Sequence, residues 1–325
     1  MASPLTITVI GAGAIGGWLA AALALGGQDV TVVLRRGGAV PDGLTLIDGG
    51  VERAVAVRFA TSDEAPRKDS DVVLICTKAT SLAEAAVSAS GWIGPGTLIV
   101  PLQNGVPWWF AGAADSLLSV DHDGRIAAAL PVAQVIGGVV HAAARRVAPG
   151  ATELVHADSI LLGEPCGGGS ARVDRLVECF RGCGIPARAV DDIRSAIWYK
   201  AWGNMTINPV SALTGATGDR IVGDEALRPF LLAAMAEAAE VGAAYGCPIS
   251  ESGEARLAVT ARLGAFKTSM LQDAEAERPL EHQALIGAPR ELARRAGIAA
   301  PMLDALHALI AQRDAVTQSR QICRS

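Results

Sequence analysis

Apolar residues in the first half of the chain fall in short continuous runs, whereas in the second half they recur at helical spacing. The runs "LTITVI" (5–10), "DVTVVLR" (29–35), "DVVLICT" (71–77) and "GTLIVPLQNG" (96–105) predict buried strands. A Gly-rich turn and a helix ending at Gly26-Gly27 follow the first run, and "SLAEAAVSAS" (81–90) predicts a helix between the last two. "GLTLIDGGVERAVAVRFA" (43–60) reads as a β-hairpin turning at Asp48-Gly49-Gly50. Continuously apolar strands alternating with helices imply a parallel sheet covered on both faces. "QVIGGVVHA" (134–142), "TELVHA" (152–157) and "SILLGE" (159–164) add later strands.

After about residue 192 the strand signals stop. Helical patterns follow at 193–215, 223–246, 250–263, 280–297 and 301–315, with Gly, Pro and Ser breaks between them. This predicts two domains, residues 1–192 and 193–325, with the cleft between them as the natural ligand site. The first of these helices contains "WYKAWGNMTINPVSALTG" (198–215), in which Lys200, Asn204 and Asn208 recur every four residues among Trp, Met, Ile, Val and Leu. A helix puts such positions on nearly one face, and the flanking residues are too apolar for that face to be simply solvated. One ammonium and two amides there need partners or a ligand. A lysine can give a proton to a carbonyl that receives hydride, and amides can hold a carboxylate or hydroxyl. Equally, the lysine pairs with a neighbour and the amides cap or brace helices.

Half of the 325 residues are hydrophobic and 19% are charged, as expected for a folded chain with a large core. The net charge of -5 gives no footprint for nucleic acid. Six cysteines form no C-x-x-C pair and five histidines are dispersed, so no metal site is expected and a reducing cytoplasm fits. Residues 5–27 hold no charge and are long enough to span a bilayer. Their six glycines break the run into strand, turn and helix, so no membrane span is expected. The apolar helices of the second half bury either a homodimer interface or the domain's own core.

"GAGAIGG" places Gly11, Gly13 and Gly16 directly after a strand and at the start of a helix, with Ala12, Ala14 and Ile15 between them. Gly11 permits the tight turn, Gly13 lets the backbone approach a pyrophosphate, and Gly16 lets the helix pack on the sheet. The fold class is therefore α/β: an N-terminal Rossmann-type dinucleotide-binding domain followed by an all-α C-terminal domain. The next strand ends in Arg35 and Arg36 with no acid in reach. A carboxylate there would repel a 2′-phosphate, whereas a guanidinium can hold it. NADP is favoured over NAD, unless the arginines only cap the strand in solvent.

With "GAGAIGG", "VLICTKA" (73–79), "LQNG" (102–105), "GGVVHAA" (137–143), "LLGEP" (161–165), "KAWGNMTINPVSALTG" (200–215), "TSMLQD" (268–273) and the following Glu281, the chain resembles the ketopantoate reductase (2-dehydropantoate 2-reductase) family over nearly its whole length. The resemblance implies NADPH-dependent reduction of a branched 2-keto acid, ketopantoate, to pantoate, a step of pantothenate biosynthesis. By the same resemblance Lys200 is the proton donor, and Glu281 is the acid beside the lysine and the cofactor. Asn204, Asn208 and Ser269 hold the substrate. Lys78, Asn104 and Ala143 line the cofactor, and Arg35 faces the 2′-phosphate. The residues alone do not single out Glu281, which follows Glu275, Glu277 and Arg278 in what reads as a solvated charge cluster.

Two features depart from the family pattern. Gly218 stands where some members place another Asn, and the segment 107–130 carries Trp108 and Trp109 and is longer than usual. The indoles either narrow the substrate site or pack in the core. Two alternatives follow: a reductase of a different 2-keto acid, and a non-catalytic NADPH-binding or sensing protein.

Overall fold

The computed structural model describes residues 3–35, 37, 40–62, 69–112 and 115–322, so Arg36 lies outside the described residues. The first half runs β1 (Thr6–Ile10), α1 (Ala14–Leu25), β2 (Asp29–Leu34), β3 (Leu44–Asp48), β4 (Val51–Val55), β5 (Arg58–Thr61), β6 (Val72–Ile75), α2 (Leu82–Ser90), β7 (Leu98–Pro101), α3 (Arg125–Ala129), β8 (Gly137–Ala148), β9 (Ala151–Gly163), α4 (Ala171–Gly182) and β10 (Ala187–Ala189). Seven helices follow: α5 (Ile193–Thr214), α6 (Gly218–Val222), α7 (Arg228–Ala244), α8 (Gly253–Ala261), α9 (Ser269–Glu275), α10 (Ala288–Arg295) and α11 (Pro301–Ile322). The chain is mixed α/β with a parallel sheet first and helices last, as the alternation of runs predicts.

Contacts divide the chain into two compact units. One comprises residues 1–103, 112–114 and 123–194, and the other 104–111, 115–122 and 195–325. A linear boundary at 192 therefore leaves out two short segments that cross over to the helical unit.

In the first unit, β5-β2-β1-β6-β7 form an all-parallel sheet. The chain leaves β1 toward β2 on one side and later returns to β6 on the other. The ends of β1 and β6 thus mark the switch point where such sheets bind ligands. The later strands do not extend this sheet, as a single-sheet reading requires. They build a second one, β10-β9-β3-β4, with β8 antiparallel to β9. The expected hairpin at 43–60 is also split: β3 and β4 form it, while β5 pairs in parallel with β2. Period-two alternation marks a strand but carries no information on which sheet receives it.

Strands expected separately at 152–157 and 159–164 are one strand, β9. Its register against β8 skips Val155 and Asp158, so bulges absorb what looked like a break. Helix α1 packs against strands of both sheets, which explains why its residues from Gly16 to Leu23 are buried all round. Each of Trp18, Leu19 and Leu23 so buried contributes about 1.5–3 kcal/mol. The uncharged stretch 5–27 is thus a strand and a sandwiched helix, and no helix among the described residues is long and apolar enough to cross a membrane.

The helical unit buries its apolar stripes in its own core, with Trp198, Trp202, Leu231, Met235, Leu285 and Leu303 nearly inaccessible. The expected helix 280–297 is a π-helical turn over Gln283–Gly287 running into α10. The expected helix 223–246 starts at Arg228, after the separate α6, and α9 lies where no helix was expected.

Candidate active site

In the first unit, Gly11 adopts φ +99°, and a Cβ there would lie 2.8 Å from Cγ2 of Thr77. The turn from β1 into α1 thus lies directly against the end of β6. A Cβ at Gly16 would collide with the Gly11 carbonyl oxygen and lie 2.9 Å from Cβ of Cys76, whereas one at Gly13 would meet nothing within 4 Å. Gly13 is the N-cap of α1, which has no side-chain cap and no acid in its first turn. The helix therefore presents uncapped N–H groups beside half-buried Ala12, Ala14 and Ile15. Next to them, the buried hydroxyl of Thr77 has no hydrogen-bond partner among the described residues. Open space over Gly13, free helix-end donors and an orphaned hydroxyl together fit a phosphate-bearing ligand.

Arg35, exposed at the end of β2, donates from Nη2 to Ser81 Oγ at 2.9 Å. Ser81 in turn donates its backbone N–H to the carbonyl of Lys78 at 3.0 Å. The structure thereby brings Arg35 and exposed Lys78 to one turn beside Thr77. Gln103 locks that turn, donating to the carbonyls of Ile75 (2.8 Å) and Thr77 (3.2 Å). Ala143 is exposed on β8 between the two bulges, in the second sheet. Thr77, Ser81 and Gln103 were not singled out by sequence; for Thr77 and Gln103 the available signal is their polar character inside the "VLICTKA" and "LIVPLQNG" runs.

The other candidates lie in the helical unit. Helix α5 seats against α7 through its indoles: Trp198 Nε1 donates to the Ala238 carbonyl at 3.2 Å and Trp202 Nε1 to Met235 at 2.8 Å. This fixes the rotation of the Lys200, Asn204, Asn208 stripe. Asn208 is 7% exposed, Asn204 is half-buried and Lys200 keeps some accessible surface. Pro209 has no N–H to give the Met205 carbonyl, so one helical bond is missing beside Asn208.

Protein packed round the Lys200 ammonium lowers its pKa from the ordinary lysine value to about 8, and the negative charge of Glu281 opposes that fall. Glu281 is 5% exposed, so it does not belong to a solvated charge cluster. Thr268 caps α9, accepting from the Leu271 N–H at 3.1 Å, and its hydroxyl meets Ser211 Oγ at 3.0 Å. Ser211 lies three residues beyond Asn208, so this buried pair ties exposed Ser269 to the end of the stripe. Gly105, at φ +94°, approaches Ala284 so closely that a Cβ would lie 2.6 Å from its carbonyl, and Val106 donates its N–H to that carbonyl at 2.8 Å. Half-buried Asn104, between Gln103 on the Thr77 turn and Gly105 against Ala284, is grouped with the helical unit.

The two departures have packing explanations. A Cβ at Gly218 would overlap the Phe266 ring, and the Gly218 N–H donates to the Phe266 carbonyl at 2.9 Å. No larger residue fits there unless the ring moves. Trp108 and Trp109 are 1% and 3% exposed, and Phe110 lies 5.5 Å from Trp198 between ring centroids. Their segment is anchored on α10 by the Leu118 and Ser119 N–H groups, which donate to Glu291 at 3.0 and 2.7 Å.

A family model described as "Ketopantoate reductase PanE/ApbA" matches residues 7–166, and its C-terminal counterpart matches residues 192–314. The chain is 40% identical over 314 residues to the 2-dehydropantoate 2-reductase of Mesorhizobium japonicum, covering 94% of this chain and 96% of that one. A crystal structure from Ralstonia solanacearum, provisionally titled a ketopantoate reductase, is 43% identical and superposes with a TM-score of 0.91 over 97% of this chain and 99% of its own. The 2-dehydropantoate 2-reductase of Geobacter metallireducens is 28% identical with a TM-score of 0.82, covering 95% and 99%.

Proposed function

The chain belongs to the ketopantoate reductase family of nicotinamide-dependent oxidoreductases, and from that membership we propose that it reduces ketopantoate to pantoate with NADPH. The observation that carries the reading is Lys200, a half-buried lysine with its pKa brought down to about 8, one turn from Asn204 on a helix face otherwise surrounded by core. The cofactor, when bound, supplies hydride to the keto carbon. Gly13 and the free end of α1 would receive its pyrophosphate, Thr77 would donate to it, and Arg35 with Ser81 would hold the 2′-phosphate. Asn204, Asn208 and Ser269 orient the substrate through its carboxylate and hydroxyl. Lys200 polarises the keto oxygen and passes it a proton from Nζ as negative charge develops there. Glu281 keeps Lys200 charged until that transfer.

Loss of reduced-nicotinamide absorbance with ketopantoate, repeated with NADH and on an Arg35→Ser variant, tests this reading. Turnover with NADPH well above that with NADH, and loss of the preference in the variant, is the expected result. Preference for NADH in both proteins would overturn the assignment of Arg35. A second reading, reduction of a different 2-keto acid, draws on Phe266, whose ring fills the space next to Gly218 where an amide has no room. Faster turnover of an aromatic or linear 2-keto acid than of ketopantoate would select it.

A further inference from the structure

Glu281 is buried in a segment without regular structure, between α9 and the π-helical turn, so something must fix its place. Its two chain neighbours are both held by one carboxylate. Asp314 on α11 accepts the Leu280 N–H at Oδ1 (3.2 Å), and its Oδ2 lies 3.6 Å from Nε2 of His282. The second distance is an electrostatic contact, not a direct hydrogen bond.

The tautomer of His282 follows from what lies behind it. Arg290, a group that can only donate, meets Nδ1 of His307 at 2.5 Å and Asp304 at 2.5 Å. Burial and the Arg290 charge bring the pKa of His307 down to about 4, so it is neutral, accepts at Nδ1 and carries its proton on Nε2. That Nε2–H faces Nδ1 of His282 at 3.4 Å and Oε1 of Gln283 at 3.3 Å. His282 therefore accepts at Nδ1 and turns an N–H toward Asp314. The neighbouring residue on α11, Arg313, donates to the Leu213 carbonyl at 3.2 Å and so attaches that helix to the end of α5, which carries Lys200.

We infer that Asp314, bracketing Glu281 through Leu280 and His282, is a positioning residue that fixes the place of the Glu281 carboxylate. This rests on the proposed role of Lys200. Asp314 touches neither substrate nor cofactor and acts through Glu281.

The test compares wild type, Asp314→Ala and Asp314→Asn in the full-length protein. Misplacing Glu281 by about an ångström costs kcat tenfold to a hundredfold, roughly the penalty of a comparable displacement elsewhere. The KM for NADPH should hold, and the alkaline limb of kcat should move to lower pH in Asp314→Ala. Asp314→Asn, which still accepts from Leu280, recovers much of both. Lys200 is also titrated without turnover, from the pH dependence of its modification by an amine-reactive reagent, located by peptide mass spectrometry. An unchanged titration in a folded Asp314→Ala overturns the inference, whether or not its melting temperature falls. A shifted titration with no wild-type turnover upholds the inference and overturns the proposed reaction instead.

Discussion

Lys200 is pulled in two directions: its surroundings disfavour the ammonium and Glu281 favours it, leaving a pKa of about 8. A group that gives up its proton during reduction must hold that proton beforehand. Below pH 8 Lys200 is protonated and above it neutral, so kcat for reduction should be level below pH 8 and fall as pH rises through it. Glu281→Gln removes the influence that raises the pKa, so the fall should begin at lower pH. Lys200→Ala should lower kcat by about 10²–10⁴-fold with the NADPH KM nearly unchanged; near-normal turnover in that variant would remove Lys200 from the chemistry. The stripe itself is legible in sequence because polar residues at i, i+4 and i+8 conflict with their apolar flanks. Glu281 is not, because its neighbours Glu275, Glu277 and Arg278 read as a surface. The groups packed against its chain neighbours are remote in sequence: Asp314 on Leu280 and His282, and the Gly105 turn on Ala284.

At the scale of the element, the glycine turn separates two jobs that one motif conflates. At Gly13 a Cβ meets nothing within 4 Å, while at Gly16 it meets the Gly11 backbone. Gly13→Ala should leave thermal stability unchanged and weaken NADPH binding, because the added methyl occupies only the space a pyrophosphate would enter. Gly16→Ala should cost about 1–3 kcal/mol of stability, the usual penalty for overpacking. Denaturant titration and fluorescence titration with NADPH read the two effects independently; equal stability losses in both variants would mean that the open space over Gly13 is not a ligand site. The strand–turn–helix unit is local, and so it is visible in sequence. Strand destination is not local: β5 leaves its apparent hairpin for the parallel sheet, and β9 runs through Asp158 because a bulge absorbs it. Nor does spacing reveal Thr77, whose importance lies in its contact with a glycine 66 residues earlier.

For the whole molecule, the candidate residues are divided between the two units. Gly11, Gly13, Gly16, Thr77, Arg35 and Lys78 belong to the first, and Lys200, Asn204, Asn208, Ser269, Glu281 and Asn104 to the second. The α/β half and the helical half are both legible from hydrophobic period. The crossing of 104–111 and 115–122 into the helical unit is not, because it depends on Phe110 and Glu291 finding partners far along the chain. Comparing cofactor binding with turnover separates an enzyme from a protein that only binds the cofactor. A ligand held by the folded state stabilises it by mass action, about 2.7 kcal/mol at a hundredfold excess over Kd. If the first unit supplies the binding, NADPH should raise the melting transition of wild type and Lys200→Ala by the same amount, while only wild type turns over. A smaller shift in Lys200→Ala would place the lysine in cofactor binding and assign part of its kinetic effect to KM. Equal shifts with turnover in neither protein would leave a binder and remove Lys200 from any reduction.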